Sequence, residues 1–342
     1  MAKLTSPQQQ RVSIALATYN GAAYLPAQLD SYLAQMRLPD ELVVGDDGST
    51  DGTLALLDAF AARAPFTVRI TRNPETLGPS GNFIATLLRC SGDVIFPSDQ
   101  DDVWHADKIA RMFEFLCQRP QCWLAAHDAA LVDGAGHPLG PTMGGQIDRV
   151  RGESAEQGLI AGCCLALDRR LVRLFDAAPA GIPHHDSWLA AAAEQLGLRA
   201  YLAEPLIDYR RHGANVSTSY MSDSRAPGIL ASFGDRWRRA RVVPVAQALK
   251  DSIAARTGYV AAFRAHRSEL EGVVAPERID DAIAGQMLGL RRDRARLAYH
   301  LGGRRARPGL LVEALRDGAY RGSGGLISLG RDLSGLFDAP TG

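Results

Sequence analysis

Little in this 342-residue chain points to a membrane span, a secreted protein or a zinc site. No stretch of about 18 apolar residues occurs, and residues 1–11 are polar, so we expect neither a membrane-spanning helix nor a signal peptide. The five cysteines are odd in number and lack the paired spacing of metal ligands, which predicts reduced, mostly buried thiols without disulfide or zinc. The chain is therefore expected to be a globular protein of the cytosol.

Two sequence patterns of nucleotide-binding proteins are also missing. No G-x-G-x-x-G follows a predicted strand, which disfavours a dinucleotide-dependent oxidoreductase. A nucleotidyltransferase would carry a glycine-rich, basic phosphate loop after its first strand. This chain has Thr18-Tyr19-Asn20-Gly21 at that place, which is not such a loop.

The net charge is zero, but the charges are unevenly distributed. Residues 1–224 carry 18 Lys and Arg against 26 Asp and Glu, whereas residues 225–342 carry 20 against 12. The acidic part suits a metal site, and the basic part suits an anionic surface such as phospholipid headgroups.

Short apolar runs alternate with helical patterns in the first 120 residues. The runs are predicted strands, and apolar residues at helical spacing in 25–36 and 53–63 predict helices. This alternation indicates an α/β fold with a mostly parallel sheet and helices on both faces. Further strands and a helix are predicted beyond residue 120. The predicted strands cover 12–17, 41–45, 68–71, 94–96, 123–126, 162–167 and 199–203, and the later helix covers 186–196.

Three carboxylates follow the apolar run Asp93-Val94-Ile95-Phe96, in the segment Ser98-Asp99-Gln100-Asp101-Asp102. Mg²⁺ and Mn²⁺ take oxygen ligands and are usually bound by one or two carboxylates together with substrate phosphates. The segment therefore predicts a site for Mg²⁺ or Mn²⁺ and a nucleotide diphosphate, although a solvated acidic loop would look the same.

The order of polar segments at strand ends resembles that of the family 2 glycosyltransferases with the GT-A fold. The segments are Ala17-Thr18-Tyr19-Asn20, Asp46-Asp47-Gly48-Ser49-Thr50-Asp51-Gly52-Thr53 and Ser98-Asp99-Gln100-Asp101-Asp102-Val103-Trp104. Segments 73–83, 185–188 and 209–215 are similar to the rhamnosyltransferase-like branch of that family. The resemblance covers roughly residues 12–220.

This resemblance implies roles for particular residues. Asp101 would be the direct metal ligand, Asp99 would lie nearer the ribose or a metal-bound water, and His212 would add an imidazole ligand. Asp46 would meet the base or ribose, while Asp47 and Asp51 fit turn and capping roles equally well. The donor-binding candidates are Thr18, Tyr19, Asn20, Asp46, Asp47, Asn82, Asp99, Gln100 and Arg210.

The resemblance also implies that Asp186 is the general base that deprotonates the acceptor hydroxyl. Its position at the start of a predicted helix fits an N-cap as well. Trp104 and Trp188 are expected to stack on a sugar ring, with core packing as the alternative, and His185 is expected beside the acceptor.

The predicted domains are a GT-A domain over 1–220 and a basic, mainly helical region over 221–342. Within the first, 10–120 would bind the nucleotide sugar and 121–220 the acceptor. In the second, residues 288–301 form a basic amphipathic stretch, which fits either the surface of an anionic membrane or packing on the protein itself or a partner subunit. No nucleic-acid partner is expected, and homo-oligomer formation stays open.

The function expected from these features is inverting, metal-dependent transfer of a sugar to a glycan or lipid-linked acceptor in bacterial surface polysaccharide synthesis. The donor implied by the resemblance is dTDP-L-rhamnose. A UDP-hexose or UDP-galactofuranose donor is the alternative within the class. A nucleotidyltransferase or a non-catalytic nucleotide-binding protein is the alternative from another class.

Overall fold

The computed structural model describes most of the chain as two compact units. The first draws on residues 1–175 and 184–226, and the second on residues 176–183 and 227–342. The predicted boundary near residue 220 lies outside the described residues. The described residues are 10–151, 156, 161–178, 182, 184–212, 245–302, 306–316, 318–320, 328, 329 and 332.

The described part of the first unit is built on one mixed sheet of eight strands in the order β3-β2-β1-β4-β7-β6-β8-β5. The strands β3, β2, β1 and β4 run parallel, β7 is antiparallel to both of its neighbours, and β5 is antiparallel to β8. The strands are β1 (Val12–Thr18), β2 (Glu41–Asp46), β3 (Thr67–Arg72), β4 (Val94–Ser98), β5 (Val103–Trp104), β6 (Leu124–Asp133), β7 (Leu165–Asp168) and β8 (Arg199–Arg211).

Helices connect these strands, which confirms the predicted α/β fold. Nearly all residues of β1, β2 and β4 are buried, on both faces of the sheet. This is usual for parallel strands in such folds and explains why their sequences are largely apolar. The helices of the first unit are α1 (Leu25–Leu33), α2 (Thr53–Ala61), α3 (Gly78–Arg89), α4 (Lys108–Cys117), α5 (Met143–Arg151), α6 (Arg169–Val172) and α7 (His185–Leu196).

Two predicted strands differ from those observed. The strand expected over 162–167 begins only at Leu165, after one 3-10 turn at Gly162–Cys164. A Cβ at Gly162 would lie 3.3 Å from His185 Nε2, so this turn fits closely against the start of α7. The strand expected over 199–203 continues to Arg211 and thereby carries Arg210 to the acidic segment after β4.

The described part of the second unit is helical, as predicted, although its stretch 227–244 lies outside the described residues. Its helices are α8 (Val245–Ala265), α9 (Arg267–Leu270), α10 (Pro276–Leu301) and α11 (Arg307–Arg316). The buried carboxylate of Asp332 accepts hydrogen bonds from Arg296, His300 and Tyr320 and so stabilises this unit. None of the helices in the described residues is both long and apolar enough to cross a membrane.

Candidate active site

The polar segments after β1, β2 and β4 meet at one edge of the sheet, because parallel strands end together there. The side-chain amide of Gln100 pairs with the backbone of Tyr19, accepting from its N–H at 2.9 Å and donating to its carbonyl at 3.0 Å. Asn20, in the left-handed region with φ 48°, accepts from the N–H of Thr50 at 2.9 Å. The structure thus brings these segments together at one edge of the sheet.

Asp46 lies in this edge but is fully buried. Its carboxylate accepts hydrogen bonds from Thr18 Oγ1 at 3.0 Å, from the N–H groups of Gly48 and Ser49 at 3.2 and 2.9 Å, and from the Ser49 hydroxyl. A carboxylate offers about four lone-pair positions, so these donors occupy it. In this conformation Asp46 stabilises the turn and has no free oxygen for a base or ribose.

Asp47 and Asn82 are also buried and support the neighbouring segment. Asp47 accepts from Asn73 Nδ2 and from the N–H groups of Leu77 and Gly78, at 2.8 to 2.9 Å. Asn82 Nδ2 donates to the carbonyl of Gly45 at 2.8 Å. These contacts fit support of the turn after β2 better than direct contact with a ligand. For Asp47 they agree with the turn role that the sequence left open.

The acids after β4 gather around a buried thiol. One ligand atom each of Asp99, Asp102 and Cys163 lies within 4.8 Å of the other two. Asp102 Oδ1 accepts from the N–H of Arg210 at 3.0 Å, whereas its Oδ2 has no hydrogen-bond partner among the described residues. Burial, reinforced by the charge of Asp101, raises the pKa of Asp102 to about 7.

Asp101 pairs with His212 at 2.8 Å between Oδ2 and Nε2. The ring of His212 stacks on Tyr24 with centroids 4.4 Å apart, so its orientation is fixed by packing. Arg210 donates to the backbone carbonyls of Asp101 and Gly134, each at 2.9 Å. The guanidinium of Arg210 therefore holds the acidic segment through its backbone.

Asp186 lies in the first turn of α7 and is partly exposed, with Oδ1 accepting from the N–H of Ser187 at 2.6 Å. It is close enough to Asp99 that its charge contributes to raising the pKa of Asp99 well above the ordinary value, after burial and the charges of Asp102 and Asp101. A Cβ at Gly162 would lie 3.7 Å from Asp186 Cβ, so Asp186 lies beside the turn that carries Cys163.

The aromatic residues expected at the acceptor lie in the core. Trp104 and Trp188 are each 3% exposed, Trp104 packing on Tyr32 and Trp188 on Phe175. Trp104 and Trp188 are too buried to stack on a sugar ring, so that prediction is wrong. Their positions fit core packing, which was the alternative prediction from the sequence. His185 is buried against Phe83, and burial lowers the pKa of its imidazole to about 4. It borders the site and holds the start of α7.

Sequence reasoning missed Lys108 and Cys163. Lys108 is fully buried, donates to the carbonyl of Cys163 at 2.6 Å and lies 3.9 Å from the centroid of the Trp104 ring. Burial lowers the pKa of its ammonium to about 8. Neither residue has an unusual sequence signal, since a lysine at a helix start is normally solvated and an isolated Cys-Cys pair has no metal spacing.

The residues present fit a divalent cation. Three carboxylates and an imidazole supply oxygen and nitrogen ligands of the kind that Mn²⁺ and Mg²⁺ accept. Oδ2 of the buried Asp102 has no hydrogen-bond partner among the described residues, and burial with mutual repulsion raises the pKa values of Asp99 and Asp102, so a cation would favour ionisation of these acids.

Comparison with known proteins gives the same family as the sequence motifs. Residues 13–174 match the family described as glycosyl transferase family 2. An uncharacterized protein of Mycobacterium tuberculosis is 26% identical over 218 residues, which are 63% of this chain and 62% of that protein. The chain thus spans about three fifths of that relative. The dTDP-rhamnosyl transferase RfbG of Shigella flexneri is 25% identical over 253 residues, 69% of this chain and 85% of that protein.

A solved structure of TarS residues 1–349 from Staphylococcus aureus, in complex with UDP, matches with a TM-score of 0.55 and 13% identity, covering 90% of this chain and 88% of that one. At this identity the likeness establishes the fold alone. Over residues 13–174 the chain therefore matches glycosyl transferase family 2, its fold is that of the GT-A glycosyltransferases, and its relatives include a rhamnosyl transferase.

Proposed function

We propose that the first unit catalyses inverting, metal-dependent transfer of a sugar from a nucleotide diphosphate donor to a hydroxyl of a glycan or lipid-linked acceptor. The observation that carries this proposal is the position of Asp186, at the start of α7, near the acids after β4. A Cβ at Gly162 would lie 3.7 Å from Asp186 Cβ, and the thiol of the next residue, Cys163, lies within 4.8 Å of an oxygen of Asp99 and of Asp102. In an inverting transfer the base and the group that stabilises the leaving anion act on opposite sides of one reacting carbon, and Asp186 and the acids after β4 are the groups proposed for these two roles.

Asp101, His212 and Asp99 are the residues that would hold the cation. When bound, Mn²⁺ or Mg²⁺ would neutralise the diphosphate leaving group. The ring of His212 is already fixed on Tyr24, so little conformational freedom is lost on binding. Arg210 fixes the backbone of Asp101, which keeps its carboxylate in place.

Asp186 would accept the proton of the acceptor hydroxyl as that oxygen attacks the anomeric carbon from the face opposite the nucleotide. An ionised carboxylate in hydrogen-bond reach is sufficient for this step. The neutral, buried ring of His185 adds no positive charge next to Asp186.

The leading donor is dTDP-L-rhamnose, which the likeness to RfbG supports, and the pathway would be synthesis of a bacterial surface polysaccharide. We test the donor by thermal unfolding with dTDP, UDP, GDP or NAD, each with and without Mn²⁺. A ligand at about 100 times its Kd adds about 2.7 kcal/mol, which raises the midpoint by roughly 5–10 °C for a unit of this size. We expect a Mn²⁺-dependent rise of the midpoint with dTDP. A rise with UDP and with no other nucleotide would select the UDP-sugar alternative. An unchanged midpoint with every nucleotide would contradict the proposal.

A matched pair of histidine variants tests the metal ligands. His212→Ala should weaken Mn²⁺ binding by at least about tenfold, because an imidazole ligand is removed. His137→Ala is the control, since His137 also pairs with a carboxylate, Asp133, but has a side chain that is 77% exposed and is not a proposed ligand. Equal Mn²⁺ affinity of His212→Ala and the control would exclude His212 as a ligand.

The second unit is proposed to associate peripherally with an anionic membrane on its cytoplasmic face. α10 exposes Leu288, Arg291, Arg294 and Leu301, a mixture of apolar and basic side chains that suits an interfacial helix. Sedimentation with vesicles should therefore require anionic lipid and should weaken when Arg291 and Arg294 are changed to Gln. Equal sedimentation with neutral vesicles would contradict this part of the proposal.

A further inference from the structure

Lys108 is the first residue of α4, and its side chain is fully buried. Burial lowers the pKa of its ammonium to about 8, and nearby acidic groups, Asp102 and Asp99 among them, oppose this shift, so most of the ammonium is protonated at pH 7. A buried cation in the first turn of a helix loses its hydration and opposes the helix dipole. An apolar side chain of the same length, such as methionine, would fill this space without that cost.

Two contacts of this ammonium join separate segments of the candidate site. Lys108 Nζ lies 3.9 Å from the centroid of the Trp104 ring, and Trp104 follows Asp102 by two residues. Nζ also donates to the carbonyl of Cys163 at 2.6 Å, in the 3-10 turn Gly162–Cys164. Lys108 therefore links the end of the acidic segment to a turn that is far away in the sequence.

The same 3-10 turn borders the start of α7. A Cβ at Gly162 would lie 3.3 Å from His185 Nε2 and 3.7 Å from Asp186 Cβ. Because a packed interior has few voids and transmits displacements, this turn cannot move far without moving the first residues of α7. The position of Asp186 therefore depends on the position of the turn.

We propose that Lys108 is a positioning residue for the transfer reaction. Its ammonium ties the turn Gly162–Cys164 to the acidic segment after β4 and thereby fixes Asp186 relative to those acids. This inference rests on the proposed function, in which Asp186 is the base, and adds a residue that acts through that base. A misplacement of about 1 Å can slow a reaction by about 10²-fold, so a contact away from the reacting atoms is able to control the rate.

The kinetic test is a double-mutant cycle of Lys108→Met and Asp186→Asn, followed by dTDP release from dTDP-L-rhamnose. Lys108→Met should slow release about 10–100-fold in the otherwise wild-type chain but less than about threefold in Asp186→Asn, because the base through which Lys108 acts is then absent. The Kd for dTDP with Mn²⁺ should change less than about threefold. Equal slowing in both backgrounds would overturn the proposal and leave the proposed function standing, whereas a wild-type rate in Asp186→Asn itself would contradict the proposed base.

Hydrogen–deuterium exchange of the full chain tests the link without sugar transfer. Lys108→Met should speed exchange in residues 162–164 and 185–188 at least about fivefold, while β1 exchanges as in the wild type. Lys250→Met, which changes an exposed lysine of α8, is the control and should alter neither segment. Unchanged exchange in both segments would refute the proposal. Faster exchange that includes β1 would also refute it, because Lys108 would then only stabilise the fold.

A second variant keeps the proposal testable if Lys108→Met fails to fold. Gly162→Ala leaves Lys108 intact and adds a methyl group that presses on His185 and Asp186. It should slow dTDP release at least about fivefold in the otherwise wild-type chain, with little effect in Asp186→Asn and an unchanged Kd for dTDP. A wild-type rate in Gly162→Ala would show that the turn does not control the base, and the proposal would be wrong.

Discussion

Asp47 is expected to stabilise the donor side of the site through three hydrogen bonds and not by touching the nucleotide. Asp47→Ala removes the acceptor of Asn73 Nδ2 and of the Leu77 and Gly78 N–H groups. Hydrogen bonds to a charged group contribute about 1.5–3 kcal/mol each, but water partly replaces those near the surface, so we expect a loss of about 3–4 kcal/mol. Asp47→Asn keeps the Oδ1 acceptor and loses the bond from Gly78, which should cost about 1–2 kcal/mol.

The assay is thermal unfolding of the wild type and the two variants, with Asp30→Ala as the control. At about 2–4 °C per kcal/mol, Asp47→Ala should lower the midpoint by roughly 6–15 °C and Asp47→Asn by roughly 2–8 °C. Asp30 forms an exposed ion pair with Arg63, so its removal should have little effect. If Asp47→Ala keeps the wild-type midpoint but loses nucleotide binding, Asp47 contacts the donor directly and the reasoning is wrong.

Two further predictions concern stability. Burial opposes ionisation of Asp332, but its hydrogen bonds with His300 and Arg296 outweigh this and lower its pKa to about 2. Because the folded pKa lies below the unfolded one, this stabilisation is present above pH 4 and is lost between about pH 4 and 2. The difference in unfolding free energy between wild type and Asp332→Asn should therefore shrink by about 2 kcal/mol over that range, as measured by urea titration, and a constant difference would contradict it. Gly45→Ala should destabilise by about 1–3 kcal/mol in the same assay, because its Cβ would collide with the buried side chains of Thr86 and Asn82. An unchanged midpoint would show that these neighbours can move apart.

The fold was predictable because local patterns and global topology agree in the first 120 residues. The runs before Thr18, Asp46 and Asp99 are apolar on both faces, and the polar residues that follow them mark the ends of parallel strands. The late start of β7 at Leu165 was not predictable, since the apolar run 162–167 looks continuous. Only the tertiary contact between Gly162 and His185 shows why a turn forms first.

The sequence was enough to identify the acidic residues of the candidate site, but not the contacts that support them. Asp99, Asp101 and Asp186 could be identified from their segments, and their roles stay predictions. Burial decides the positions of Trp104 and Trp188, and burial depends on packing between elements far apart in the sequence. The same holds for Lys108, whose role follows from a contact with Cys163, 55 residues away.

Deprotonation of the acceptor by Asp186 is tested by comparing Asp186→Asn with the wild type. The measurement is the rate of dTDP release from dTDP-L-rhamnose, together with the Kd for dTDP in the presence of Mn²⁺. Glu194→Gln, an exposed acid on the same helix, serves as the control. We predict that Asp186→Asn releases dTDP about 10²–10⁴ times more slowly while the Kd for dTDP changes less than about twofold. Release at the wild-type rate by Asp186→Asn, with dTDP bound normally, would contradict it.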